Sequence, residues 1–160
     1  MIKIAIGSDH AGFRLKEEIK EYFQGKDLQF TDFGVDSTDP VDYPDIALMV
    51  AESVARGDNK YGILVCGTGI GMVMAANKVP GIRAALCHDT FTARAAREHN
   101  DANIIALGER VTGAGLACAI IETWLNATFQ GGRHQRRVDK IKAIEAKYCS
   151  TKKYSKDRGI

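Results

Sequence analysis

Short runs of apolar residues alternate along this chain with segments whose apolar positions recur every three or four residues. The runs cover 2–6, 28–33, 61–66, 82–87 and 103–107. Most are nearly continuous in apolar character and bounded by glycine or polar residues, which predicts strands of a parallel sheet buried on both faces. Between them, Ala11, Leu15, Ile19 and Tyr22 fall at helical spacing, as do Ile46, Val50 and Val54 behind Pro44. Further helices are predicted over 70–79, stopped by Pro80-Gly81, over 90–99, and around Leu116, Ala119, Ile120 and Trp124. A last helix carries Val138, Ile141 and Ile144 after the Gly131-Gly132 break. Strict strand–helix alternation predicts an α/β fold, a five-stranded parallel sheet with helices on both faces.

Open sheets of this kind bind ligands outside the carboxyl ends of their strands. Four predicted loops leave those ends with polar groups: Ser8-Asp9-His10, Cys66-Gly67-Thr68, His88-Asp89 and Gly108-Glu109-Arg110. The second is the densest. Glycines at 67, 69 and 71 let the backbone turn sharply and bring N–H groups close to a ligand. A helix then opens, and its N-terminus favours an anion or a developing oxyanion. Cys66, at the strand's last position, sits where that field favours a thiolate. A cysteine after Ile-Leu-Val equally fits an inert core residue. The loop matches neither the dinucleotide fingerprint, since Met72 stands where its last glycine belongs, nor the P-loop. On the residues alone both readings stay open.

Three other groups carry the same ambiguity. Asp9 and His10 fit a helix cap followed by a solvated first turn, or partners for a phosphate or hydroxyl. His99 and Asn100 fit a cation and a cap at a helix C-terminus, or a site. Arg133 and Arg137 lie four apart on one helix face, at an N-terminus whose dipole opposes cations unless an anion is bound. Guanidinium groups suit phosphate geometry, while a solvated or salt-bridged basic face is the alternative.

Composition narrows the classes. The 160 residues fit one α/β domain over 1–149 and a polar tail over 150–160. The net charge is +2; the tail holds four cations against one anion, a local +3 that leaves the body at −1. A nearly neutral body is not the footprint of a nucleic-acid binder. No apolar stretch approaches the ~20 residues of a membrane span, and the N-terminus lacks the features of a signal peptide. Cys66, Cys87, Cys118 and Cys149 form no C-x-x-C pair, which predicts reduced thiols in a cytoplasm. The four histidines show no zinc spacing, so neither metal nor cofactor is expected.

Taken together, Gly7-Ser8-Asp9-His10-Ala11-Gly12, Asp42-Tyr43-Pro44-Asp45, Cys66 to Gly71, Ala75 to Lys78, Arg94 to Asp101, Leu107 to Val111 and Phe129 to His134 resemble the ribose-5-phosphate isomerase type B family. That group also includes galactose-6-phosphate isomerase subunits. The likeness spans residues 2 to about 148. It implies a Rossmann-like three-layer fold and a homodimer, often paired into tetramers, with the active site at the subunit interface. It also implies metal-independent interconversion of ribose 5-phosphate and ribulose 5-phosphate. By the resemblance Cys66 is the base, Gly67, Thr68, Gly69, Ile70 and Gly71 bind substrate, and Thr68 helps stabilise the enediolate. His99 opens the ring, Asp9, His10 and Asn100 hold the sugar, and Arg110, Arg133 and Arg137 take the phosphate. A six-carbon sugar phosphate, or a non-catalytic sugar-phosphate-binding module, are the alternatives.

Overall fold

The structure, a computed structural model, describes residues 1–149. The basic tail expected over 150–160 lies outside the described residues. Five strands, β1 (Ile2–Ser8), β2 (Leu28–Asp32), β3 (Tyr61–Cys66), β4 (Ala84–Leu86) and β5 (Ile104–Gly108), form one parallel sheet in the order β2-β1-β3-β5-β4. Six helices connect and cover them: α1 (Phe13–Tyr22), α2 (Tyr43–Ala55), α3 (Ile70–Ala76), α4 (Thr90–Asn100), α5 (Ala114–Asn126) and α6 (Arg133–Cys149).

Alternate strand residues feed two cores. Ile4, Ile6, Ile63, Val65, Ile105 and Leu107 pack with α1, α4 and α5, while Ala5, Leu64, Cys66, Ile104 and Ala106 pack with α2 and α3. The central strand β3 is buried at every residue, as its saturated sequence requires. The α/β three-layer expectation holds.

Several boundaries differ from the sequence pattern for local reasons. Asp9 Oδ1 accepts from the N–H groups of Ala11 and Gly12 at 2.9 and 3.1 Å, which turns 10–12 into a 3-10 helix ahead of α1. The third helix stops at Ala76, short of 79. The Asn77 amide there pairs with both the N–H and the carbonyl of Ala84, at 2.8 and 3.0 Å, and directs the chain into β4. That strand is an edge, bonded among the described residues only to β5, and shrinks to three residues.

The topology also chooses a crevice. The strand β1 pairs with β2 on one side and β3 on the other, so the winding reverses between β1 and β3. Their carboxyl ends, Ser8 and Cys66, are therefore where a ligand is expected to lie.

Candidate active site

At the carboxyl ends of β1, β3 and β5 the backbone does most of the shaping. The Gly69 N–H donates to Cys66 Sγ at 3.0 Å, giving a buried sulfur a donor from its own loop. Gly69 adopts φ 80°, and a side chain there would also meet Leu86 and the Leu107 carbonyl. Only glycine serves at such a position. The Glu109 and Arg110 N–H groups donate to the carbonyls of Cys66 and Gly67 at 2.9 and 3.1 Å, locking the β3 and β5 loops together. As a result the Arg110 guanidinium packs over Gly67, 3.3 Å from where a Cβ would stand. Thr68 and Ile70 are exposed beside it. Glu109 itself turns inward and accepts from the Leu15 N–H, a structural bond.

Asp9 and His10 flank the same crevice. The cap uses only Oδ1 of Asp9, whose side chain is otherwise buried beside β3. The Val41 N–H donates to His10 Nδ1 at 3.2 Å, so in the neutral ring Nε2 carries the hydrogen. That bond also fastens the 33–42 loop, which β1 holds through Phe33 N–H to the Ile6 carbonyl and Val35 N–H to the Ser8 carbonyl. The fully buried Lys16 ammonium clamps the loop's other side, donating to Asp32 and to the Val35 carbonyl. Beyond the loop, Tyr43 lays its ring against Gly71, where any Cβ would come within 2.5 Å of it. Neither Tyr43 nor Lys16 has a role in the sequence reading. Tyr43 enters that reading only within the Asp42-Tyr43-Pro44-Asp45 segment, with no task of its own, and a lysine on an amphipathic face carries no distinguishing signal.

The fourth carboxyl-end loop contributes differently. Asp89 accepts from the Thr92 N–H at 2.7 Å and caps α4, and that bond holds its carboxyl below the ordinary value.

The remaining candidates lie at the other end of the sheet. Helix α4 runs back against the strands, and Asn103, just past it, accepts from the Gly62 N–H at the start of β3. Cys66 is four residues further along that strand, so the end of α4 lies near the amino end of β3, about 13 Å of strand from Cys66. Here the His99 ring stacks on His134, centroids 4.3 Å apart and planes 5° from parallel, with Arg133 and Arg137 on the same helix as His134. Both arginines are exposed. The left-handed cap of α4 is Asp101, φ 47°, and not the expected Asn100. Two arginines hold that turn: buried Arg97 donates to Asp101 Oδ1, the Ala102 carbonyl and the Tyr61 hydroxyl. Arg83 donates to the Asn100 and Asp101 carbonyls. The candidate residues thus fall into two clusters, one at each end of the sheet. Among the described residues no cluster of three or more His, Cys, Asp or Glu could hold a metal, and no helix is long and apolar enough to cross a membrane.

The profile of the Ribose/Galactose Isomerase family matches residues 4–141. The chain belongs to that family. It is 48% identical to ribose-5-phosphate isomerase B of Escherichia coli over 145 residues, 91% of this chain and 97% of that protein. It is 51% identical to D-erythrulose-4-phosphate isomerase of Pectobacterium atrosepticum over 143 residues, 88% and 93% of the two chains. Among solved structures, ribose-5-phosphate isomerase B of Clostridium thermocellum superposes with a TM-score of 0.90 at 56% identity, covering 92% of this chain and 99% of that one. The Mycoplasma genitalium enzyme with bound ribulose 5-phosphate gives 0.86 at 44%, covering 91% and 97%.

Proposed function

We propose that this family member is an aldose–ketose isomerase that interconverts ribose 5-phosphate and ribulose 5-phosphate, with each active site assembled from two copies of the chain. The observation that carries the reading is the Cys66 sulfur hydrogen-bonded inside the glycine loop, at the crevice where the sheet's winding reverses. Moving a proton between C1 and C2 of a sugar needs a base at those carbons and donors where the enediolate oxygen gains charge. Cys66 supplies the base, and Thr68 with the loop backbone supplies the donors. Asp9 and His10 orient the hydroxyls from β1. Arg110 binds the phosphate from above Gly67, leaving the reacting carbons over the sulfur.

Ring opening needs an acid, and His99 is the candidate; its own copy places it at the opposite end of the sheet. A second copy brings His99, Asn100, Arg133 and Arg137 to the Cys66 crevice, completing the sugar and phosphate contacts. Apolar side chains left exposed beside both half-sites, Ile70 and Met74 on α3 and Ile141 and Ile144 on α6, favour such association. A four-carbon substrate is the second reading, because a relative of comparable identity is named for one.

The test is complementation. Cys66→Ala and His99→Asn are expected to be inactive singly on ribose 5-phosphate. Mixed at equal amounts and allowed to exchange subunits, they recover about one quarter of wild-type activity, since half the dimers are mixed and each has one intact site. Recovery absent after verified exchange overturns the shared site. A wild-type protein that converts erythrulose 4-phosphate but not ribose 5-phosphate replaces the substrate.

A further inference from the structure

The stacked ring beside His99 has no part in the reading above, although the chain goes to some length to place it. The Gln130 N–H donates to the Glu98 carbonyl at 3.0 Å, and the Gln130 amide donates to the Glu98 carboxylate at 3.1 Å. These two bonds pin the 127–132 loop to the residue preceding His99. Gly131 and Gly132 then both take left-handed backbone, φ 63° and 55°, a pair of consecutive positions strained for any other residue. The chain reverses and starts α6, whose second residue, His134, is 95% buried against α4. Its ring lies parallel to that of His99, and its Nε2 accepts from Arg133 Nε at 3.5 Å.

We propose that His134 is a positioning residue, whose ring sets the plane of His99 and whose Nε2 sets the guanidinium of Arg133. The inference rests on the isomerase reading and deepens it, joining the ring-opening group to a phosphate-binding one through a side chain that touches no substrate. An imidazole platform suits this role only while uncharged, because a second cation face to face at this distance would repel a protonated His99. The groups around it act in that sense. From α4 it faces His99, with Glu98 engaged by Gln130, and from its own helix Arg133 and Arg137. Burial first, then His99 and the two arginines, holds His134 below the ordinary histidine value. The N-terminal turn of α6 likewise disfavours a cation at residue 134.

Two reactions of one substrate pair separate this role from a structural one. Ribose 5-phosphate closes a furanose ring through O4 and must be opened. Ribulose 5-phosphate has its O5 phosphorylated and cannot close such a ring, so exchange of its C1 hydrogen in deuterium oxide needs the base but no ring opening. The His134→Ala variant is expected to lower kcat on ribose 5-phosphate by about 10- to 100-fold, a misplacement-sized loss. Its exchange of ribulose 5-phosphate at saturation stays within about threefold of wild type. His134→Phe, which conserves a flat ring of similar size and guards against misfolding, keeps kcat on ribose 5-phosphate within about threefold. It raises KM several-fold, because Arg133 loses its acceptor. Equal losses in both reactions, a Phe variant as impaired in kcat as the Ala variant, or no change in either variant overturns the proposal. Wild-type protein that neither isomerises nor exchanges refutes the isomerase reading instead.

Discussion

Replacing Gly12 with alanine is the sharpest test of how closely α1 presses on the crevice. A Cβ at Gly12 would stand 2.5 Å from the Val65 carbonyl carbon and oxygen and 2.8 Å from the Cys66 nitrogen. All three are backbone atoms of the central strand and cannot rotate away. Restoring ordinary contact at 3.4 Å needs a separation of about 0.9 Å between the start of α1 and the end of β3. Overpacking of this kind costs about 1–3 kcal/mol, and the rigid neighbours place it at about 3. Alanine recovers up to about 1 kcal/mol by stiffening the unfolded chain, leaving a net loss of about 2. For a chain of this size that corresponds to a Tm lower by roughly 4–8 °C. Urea and thermal unfolding at one fixed protein concentration measure it. Because Cys66 is one of the displaced residues, isomerase activity is expected to fall by about 100-fold in the surviving folded protein. A variant within 0.5 kcal/mol of wild type and fully active would show that α1 does not lie against β3 as described, refuting the reasoning.

Two other perturbations probe the rest of the frame. Arg97→Met strands the Tyr61 hydroxyl and the Ala102 carbonyl and removes one partner of Asp101, so a loss of about 2–3 kcal/mol in urea unfolding is expected, and a change under 0.5 would contradict it. At Asp32, burial raises the carboxyl, but hydrogen bonds from Lys16, Lys20 and the Gly34 N–H outweigh it and hold the group below its ordinary 3.8. Its contribution to stability is therefore present above that value and is lost as pH falls through the depressed one. The stability gap between wild type and Asp32→Asn should be wide and flat from neutral pH to about 4 and narrow below it, whereas a gap that grows on acidification would reverse the assignment.

The central strands β3 and β5 and the glycine loop were legible because burial on both faces leaves no alternation to disguise them. The carboxyl-end cluster followed, since strand–helix alternation alone sends Ser8, Cys66 and Gly108 to one edge. Sheet order was not legible: nothing in the sequences of β4 and β5 says that the later strand inserts next to β3. The splitting of the candidates into two ends was implicit in the same alternation, because a helix between parallel strands must finish at their amino ends, as α4 does with His99. His134 was hidden by its neighbours. In a run of four cationic or imidazole side chains the signal for a buried ring is its four-residue spacing from Val138, which marks the inward face of α6. The end of α3 escaped because a side-chain amide, and not a backbone breaker, diverts the chain at Asn77.

The two clusters of candidate residues are held by different means, and this constrains how each can fail. At the carboxyl ends the donors and the sulfur belong to backbone and loop packed to contact, with glycines at 12, 69 and 108 pressed against backbone that leaves no room for a side chain. Small additions of volume are the damaging changes there. At the amino ends the last turn of α4 hangs on long side chains, Arg83 and Arg97, that reach across to its carbonyls and to Asp101. Deletions are the damaging changes there. A base needs a fixed sulfur and fixed donors at two adjacent carbons, which a backbone frame provides. In the proposed reaction the ring-opening acid and the phosphate-binding arginines would arrive from a second copy at a substrate already seated, a task that side-chain tethers suit.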